Sequence, residues 1–549
     1  MTERYDGNCL IGSTEVQVRY TSNWLDLLSS QDYNCSGQSI AKIIEAIRSK
    51  SSRKGNWNYA VIRMDEFPQP GLFKYDKNRA KVYQVPTGCE ILSFKDGTRA
   101  YEPITQITVE GNCDTAELYV GGRLIQPSTN ESMAVFNHET GGIKRVTPQD
   151  SVHWLVPVIT QDPTPFGTYG TFEDGWFIGS VLSDGYLSGT YFGYTKLDEK
   201  TRNHFRAYLD ERFPNARINV YEEYPSEHKL AYSIKFHTSD ARIMSFIDQL
   251  DLYTDREHRN FSTKRIPNKY FLEGSEEFLW GIFSGLMDGD GTILYNVLTS
   301  GEFSFQTRFS TSGVPLRDSF LRLCYRLGLR CTMSISPPRF QKGGHYSKET
   351  YVLLPNSEDI QEHLHQIRCI GTRESEILWL WNDNQREEYR NSRDIIPLTD
   401  KERRELAVLA LNKNKKSVYQ ALCDKATIGC ARYIAGQFVN EIRNPELKQR
   451  ILNRSVHWFR PRLTGNTSRE TVYDFEIPTT KVFAVNDGVV VYDTASSNGI
   501  LSKQANQEVT DYLNSVDRFV HSNGNLMHGI TDLIKLTIFN LSRDPSISI

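Results

Sequence analysis

Apolar positions change their period several times along the 549 residues, and the changes divide the chain. From Cys9 to Tyr20, CLIGSTEVQVRY joins a Gly-Ser turn to a β-rich run. GQSIAKIIEAIRSK spaces its apolar residues three and four apart, which predicts a helix, and the aromatic, Pro-containing sequence after it reads as a loop or added subdomain. From Glu90 the pattern is β again. EILSFKDGTRAYEPITQITVEG, AELYVGG, RLIQPSTNESMAVFN and VHWLVPV are short runs with turn residues between them, which predicts a compact all-β unit. The last β signal, VYDFEIPTTKVFAVNDGVVVYDT (Val472–Thr494), predicts a hairpin. Its expected strands are Val472–Ile477 and Val489–Val491, with an Asn-Asp-Gly turn at Asn486–Gly488 between them.

The middle of the chain reads differently. WFIGSVLSDGYL (Trp176–Leu187) and LWGIFSGLMDGDGTI (Leu279–Ile293) are each an apolar helix-like run with an internal small residue, followed by Asp-Gly. They recur at roughly one hundred residues, longer than a solenoid unit, which predicts a duplicated subdomain. Strand-like segments (YFGYTK, LAYSIKFHT; FSFQTRFST, CTMSI, TYVLL) and amphipathic helices (ARIMSFIDQL; LRDSFLRLCYRLGL) follow, so each half reads helix, strands, helix. From Leu398 to about Asn453 the pattern is helical and charged.

Composition narrows the classes. A hydrophobic content of 39% and a charged content of 24% are those of a globular chain, and the length suggests roughly three or four domains. The net charge of -3 means that any nucleic-acid surface must be a local patch. No apolar run approaches the ~20 residues that span a bilayer, and no leader pattern opens the chain, so a cytoplasmic, non-secreted protein is expected. Nine scattered cysteines without a CxxC pair point to a reducing compartment with free thiols. A cysteine that matters here would act as a nucleophile.

The repeated segments FIGSVLSDG (Phe177–Gly185) and FSGLMDGDG (Phe283–Gly291) resemble the LAGLIDADG motifs of homing endonucleases, the second more closely than the first. The chemistry is coherent with that resemblance. Small residues, here Gly179 and Gly285, let two helices pack closely, and each helix delivers an acid from its end, Asp184 and Asp290. Two such carboxylates can hold Mg²⁺, which prefers oxygen ligands and retained water and can activate water while neutralising phosphate charge. The resemblance implies a double-stranded DNA partner, cut at a long site at the uninterrupted insertion locus, with major-groove reading by the strands of both halves. KRIP (Lys264–Pro267) resembles the family's Lys-x-Ile-Pro block and implies that Lys264 assists at the centre. TRFSTSGVPLRDSFLRLCYRLGL (Thr307–Leu329) resembles the block after the second motif.

The two ends of the β-rich sequence resemble the first and last blocks of inteins. This implies the horseshoe-like all-β Hint fold shared with hedgehog autoprocessing domains, interrupted by a pseudosymmetric α+β endonuclease and accompanied by a helical subdomain. The implied division is 1–8 as a flank, 9–170 as the first part of the splicing domain with 21–88 unassigned, and 171–372 as the endonuclease. Residues 373–455 form the helical subdomain or linker, 456–493 the second part of the splicing domain, and 494–549 the other flank. Cys9 would attack the carbonyl of Asn8 to form a thioester, Thr494 would take over the acyl group, and Asp474 would assist the central steps. Several positions depart from the pattern. Thr129–Ser132 aligns with a Thr-x-x-His block, so Ser132 stands where histidine is usual and cannot titrate near neutrality. Lys481 and Tyr492 occupy the usual inner and penultimate histidine positions. Asp493 replaces the terminal asparagine, and would have to attack through a carboxylate oxygen, giving an anhydride that water opens. Two other readings stay open: an endonuclease carrying a splicing-impaired Hint domain, and a non-catalytic DNA-binding remnant.

Overall fold

The computed structural model describes residues 10–493, apart from 30–33, 36–37, 70–71, 76–79, 96, 130–132, 225–231, 298–302, 341–345, 372, 375, 378–393 and 424–427. Cys9, Ser132, Thr494 and both flanks therefore lie outside the described residues. The chain is a mixed α/β protein of several units, and among the described residues no helix is long and apolar enough to cross a membrane.

Two sheets carry the β-rich ends. One runs Leu10–Ile11, Arg462–Glu476, Gln106–Val120, Lys81–Gln84, Leu72–Tyr75. The other has eleven strands among the described residues, with Cys89–Lys95, Glu15–Tyr20, Val482–Val485, Val489–Tyr492 and Met133–Phe136 consecutive at its middle. Strand alternation gives the hairpin two buried faces: Phe483, Val485, Val489 and Val491 join the larger core, while Val482, Ala484 and Val490 join a second cluster with Phe94, Phe136 and Trp458.

The closing hairpin differs from the sequence expectation. The strand that pairs across Asn486–Gly488 is Val482–Val485, with Val485 opposite Val489, not Val472–Ile477. The latter segment continues Arg462–Glu476 and pairs with Gln106–Val120 in the other sheet. Pro478 has no N–H to extend a ladder, and Lys481 turns the chain with φ 57°, so the two runs separate there. The turn itself uses φ 41°, 61° and 103° at Asn486, Asp487 and Gly488, residue types that tolerate the left-handed region. The stretch 21–88 is woven into both sheets: Trp57–Arg63 pairs with Glu15–Tyr20, and Lys81–Gln84 with Gln106–Val120.

The duplication is explicit in the middle. A helix, Phe172–Asp184, leads into a four-stranded sheet ordered Gly185–Leu187, Phe192–Thr195, Ser233–Thr238, Asn219–Glu223. A second helix, Glu276–Asp290, leads into Gly291–Val297, Phe303–Thr311, Thr350–Pro355, Cys331–Ser336. One core holds both halves, including Trp176, Phe177, Phe205, Phe283 and Phe320. The smaller unit pairs Ile395–Pro397 with Gly429–Ala431 and packs the helices Asp400–Asn412, Lys416–Cys423 and Pro445–Leu452 around Leu406, Phe438 and Leu447.

Candidate active centres

Both motif helices start from firm caps. Thr171 and Asp174 form a capping box, and Ser275 accepts from the Phe278 amide. The helices then run against each other at backbone contact. A Cβ on Gly179 would stand 2.3 Å from the Ile282 carbonyl oxygen, and one on Gly285 would stand 2.2 Å from that of Trp176. Gly175 and Gly281 do the same one turn earlier, at 1.9 Å from Phe278 O and 2.1 Å from Phe172 O. The sequence reading singled out Gly179 and Gly285; their partners could have been found from the four-residue spacing, since a second glycine one turn away is costly unless a facing backbone needs the room.

The approach brings the helix ends together. A Cβ on Gly289 would lie 3.1 Å from Asp184 Oδ2. Burial pushes the Asp184 carboxyl up, with Lys196 and Lys264 pulling it back. Asp290 keeps contact with solvent at the rim, but the protein crowded around its carboxyl raises it to about 6, and the Asp184 charge adds to that rise. Two acids that repel each other in one place are oxygen donors that a divalent cation could share. A pair of carboxylates is the modest protein ligand set that Mg²⁺ ordinarily takes, its remaining positions being filled by water and phosphate oxygens. Among the described residues no group of three or more His, Cys, Asp and Glu side chains gathers to form a richer metal cluster.

Lys264 and Lys196 divide the two helix ends between them. The Lys264 ammonium donates to the carbonyls of Leu182 at 2.8 Å and Gly185 at 2.7 Å, with Val181 and Ser183 at 3.3 and 3.2 Å. It caps the first motif helix, favourably for the helix dipole, and burial lowers it to about 8. It reaches the acids by charge and through these carbonyls, without a hydrogen bond to either carboxylate. Lys196, which sequence reasoning passed over, donates to Asp184 Oδ2 at 2.9 Å and to the carbonyls of Asp288 and Gly289 at 2.6 and 3.2 Å. It is the residue that closes the strand-like YFGYTK, and no spacing marked it. Asp288, also missed, is buried and accepts from Trp176 Nε1 at 2.8 Å and from the Ile370 amide, and burial raises its carboxyl to about 7.

The β-rich ends meet elsewhere. Leu10 pairs with Tyr473 and bridges to Pro127, and the Ile11 amide donates to Gln126 O at 3.3 Å. Asp474, next to Tyr473, is buried opposite Thr108 and accepts from the Phe475 amide at 2.9 Å. Thr129, two residues beyond Pro127, is half-buried and donates its amide to Asp114 O. Asp493 is 2% exposed; its Oδ2 accepts from the Ile477 amide at 2.5 Å and its own amide donates to Lys481 O at 2.7 Å. The Ile477 contact links Asp493 to the strand end that carries Asp474. Tyr492 takes the opposite face, packs with the Phe94–Phe136–Trp458 cluster and lines a cavity of about 540 Å³ with Thr479, Thr480 and Arg450. It does not share the surroundings of Asp493.

No family model matches the chain, and no curated protein does. Among solved structures, the chain is similar to the homing endonuclease I-WcaI bound to its DNA recognition sequence, at 13% identity over 36% of this chain and 81% of that one, TM-score 0.23. It is similar to the TvoVMA intein at 14% identity over 28% and 72%, TM-score 0.16, and to full-length DUF199/WhiA from Thermatoga maritima at 10% identity over 56% and 86%, TM-score 0.25. Its structural neighbours thus include LAGLIDADG homing endonucleases and inteins, each over part of the chain. Likeness this distant carries no argument, and what the centres can do rests on their side chains.

Proposed function

We propose that the protein is a site-specific DNA endonuclease built into an autocatalytic, Hint-type splicing domain. The observation that carries the endonuclease is the meeting of Asp184 and Asp290 at the ends of two helices in backbone contact. Mg²⁺, when bound, supplies Lewis-acid stabilisation of the phosphate and a more acidic water. The chain's own part is to hold two oxygen donors in fixed register, to balance their charge with Lys196, and to fasten the helix ends with Lys264. The two four-stranded sheets that follow the helices are the surfaces for double-stranded DNA. The test is incubation with plasmid carrying the uninterrupted insertion locus. Mg²⁺-dependent linear product is expected, and none with Asp290→Asn or Asp184→Asn. Cleavage that survives both substitutions overturns the assignment.

Splicing of Cys9–Asp493 is supported by the pairing of the first described strand with the strand of Asp474, and by the tie from Asp493 to Ile477. The Cys9 thiolate attacks the Asn8 carbonyl and displaces its own main-chain nitrogen, which leaves as the Cys9 amine, to give a thioester, and the Thr494 hydroxyl displaces the thiolate to give an ester. The Asp493 carboxylate then attacks its own main-chain carbonyl and releases the Thr494 amine, which converts the ester to an amide while water opens the anhydride. Mass spectrometry of the expressed chain should find joined flanks and a free Cys9–Asp493 fragment. Intact precursor alone, with DNA cleavage present, leaves the endonuclease with an impaired splicing domain.

A further inference from the structure

The helix Val314–Leu327 belongs to the second half of the duplicated unit, yet one face of it is turned to the splicing sheets. Arg322 is at the middle of that face. Its Nη2 donates to Glu15 of the Glu15–Tyr20 strand, its Nε to Asp487 Oδ1 at 2.9 Å, and its Nη1 to Asn268 Oδ1 at 2.9 Å. Only 14% of the side chain is exposed. Tyr325 donates its hydroxyl to Gln17 Oε1 at 3.1 Å, and Arg326 donates to the carbonyls of Phe271 and Pro165 at 2.7 and 2.9 Å.

The groups that Arg322 joins are not peripheral to the β-rich ends. Asp487 is the middle residue of the closing turn; the turn's Asn486 Oδ1 accepts from the Glu15 amide at 2.8 Å, and Asp487 O accepts from Arg123 Nε at 2.8 Å. Burial pushes the Asp487 carboxyl up and the Glu15 charge adds to this, while Arg322 pulls it down. Against the same burial, Arg322 holds Glu15 below the usual carboxylate range. Without the guanidinium, the two half-buried acids would lose the counter-charge they share and keep only the weaker pull of Arg123 on Asp487 and of Lys50 and Arg63 on Glu15, so their repulsion would loosen the entry strand from the turn. Glu15 lies six residues after Cys9 (15 − 9), and Asp487 six before Asp493 (493 − 487).

We infer that Arg322, supplied by the endonuclease half, is a positioning residue for splicing: it holds the entry strand and the closing hairpin in one register, so that both junctions react in one centre. The inference rests on the splicing reading above. Among the described residues Arg322 makes no contact with Asp493, and the inference assigns it no chemical step of its own at either junction. What suffers is their coordination. Transfer of the acyl group from Cys9 to Thr494 needs both ends at once, whereas cleavage at either end alone does not.

The experiment follows the full-length chain by mass spectrometry and gel, scoring joined flanks, thiol-induced cleavage at Cys9 and cleavage after Asp493, with unfolding midpoints measured alongside. Arg322→Met should lower the ratio of spliced to singly cleaved products about tenfold, and Arg322→Lys, which restores one charge but not the two-sided fork, should recover part of it. Asp487→Asn breaks the same pair from the splicing side and suits the left-handed backbone there, so it reads the effect if Arg322→Met fails to fold. It should give the same fall, with no further fall in the double variant. An unchanged ratio in wild-type-like splicing by Arg322→Met or Asp487→Asn overturns this inference alone, as does a loss of all products in step with a lowered midpoint. A wild-type chain that neither splices nor cleaves with thiol ends the splicing reading, and this inference with it.

Discussion

Gly285→Ala separates close helix packing from ordinary helix propensity, because the two effects have opposite signs. In an uncrowded helix, alanine is better than glycine by about 1 kcal/mol. At position 285 the new methyl would meet Trp176 O at 2.2 Å and Ser180 N at 2.9 Å, both main-chain atoms of the facing helix. Ordinary contact begins at 3.4 Å, so the helices must part locally by about 1.2 Å (3.4 − 2.2). Overpacking of a tight interior costs about 1–3 kcal/mol, and a clash with backbone has no rotamer to relieve it, so a net loss of about 2 kcal/mol is expected. The same parting shifts Asp290 against Asp184, and a misplacement of about 1 Å can cost about a hundredfold in rate. Gly436→Ala, in the helix Arg432–Gly436 with nothing within 4 Å of the added methyl, is the control and should be neutral or slightly stabilising. Urea unfolding and plasmid cleavage read both variants. A Gly285→Ala protein as stable as the Gly436→Ala protein would refute the reasoning that glycine is there to let two backbones touch.

DNA cleavage should rise with pH through about 6, where Asp290 ionises, and Lys196→Met should move the rise to higher pH, since both acids lose an attracting charge. The stability linkage has the opposite sense: the Asp290 carboxyl stands above its ordinary 3.8, so its contribution is complete below about 4 and is lost as pH approaches 6, a slope that Asp290→Asn should remove in urea titrations. Lys264→Met should cost about 1–3 kcal/mol in unfolding free energy, because it leaves the carbonyls of Leu182 and Gly185 buried without their donor. Asp493→Asn should leave splicing intact or speed it, since an amide nitrogen closes a five-membered imide where the carboxylate must form an anhydride; a clear loss, seen as precursor persisting in a time course, would make Asp493 a tuned participant.

The helix pair was legible because its information is local. Each copy carries the small residue, the apolar run and the terminal acid within about a dozen positions, and the duplication repeats the message. The strand partners were not. Asn486-Asp487-Gly488 announces a turn, but the sequence on its N-terminal side offers two candidate strands, Val472–Ile477 and Val482–Val485, and both are apolar enough to serve. Register settles the choice through contacts more than three hundred residues away in sequence, such as Ser93 Oγ to Val482 O at 2.7 Å and Gln106 opposite Glu476. Lys196 escaped for the same reason. Its neighbours Asp288 and Gly289 lie 92 and 93 positions further on, and a lysine at a strand end is ordinary until the fold folds another helix end over it.

The two halves of the duplicated unit have also stopped being equivalent, and the difference has a physical direction. Where the second copy has Asp288, the first has Leu182. Asp288 ties the second helix to Trp176 and to the Ile370 amide, whereas the buried, apolar Leu182 can make no such tie. Asp184 carries an ammonium on its carboxylate, and Asp290 stands at the rim. A cation entering the pair therefore meets one acid already neutralised and one that gives up its proton near pH 6. Displacing Lys196 from Asp184 does not strand its charge, since the carbonyls of Asp288 and Gly289 still receive it. The arrangement holds two carboxylates together without the full cost of their repulsion, because Lys196 offsets one charge and burial keeps the other acid protonated until about pH 6.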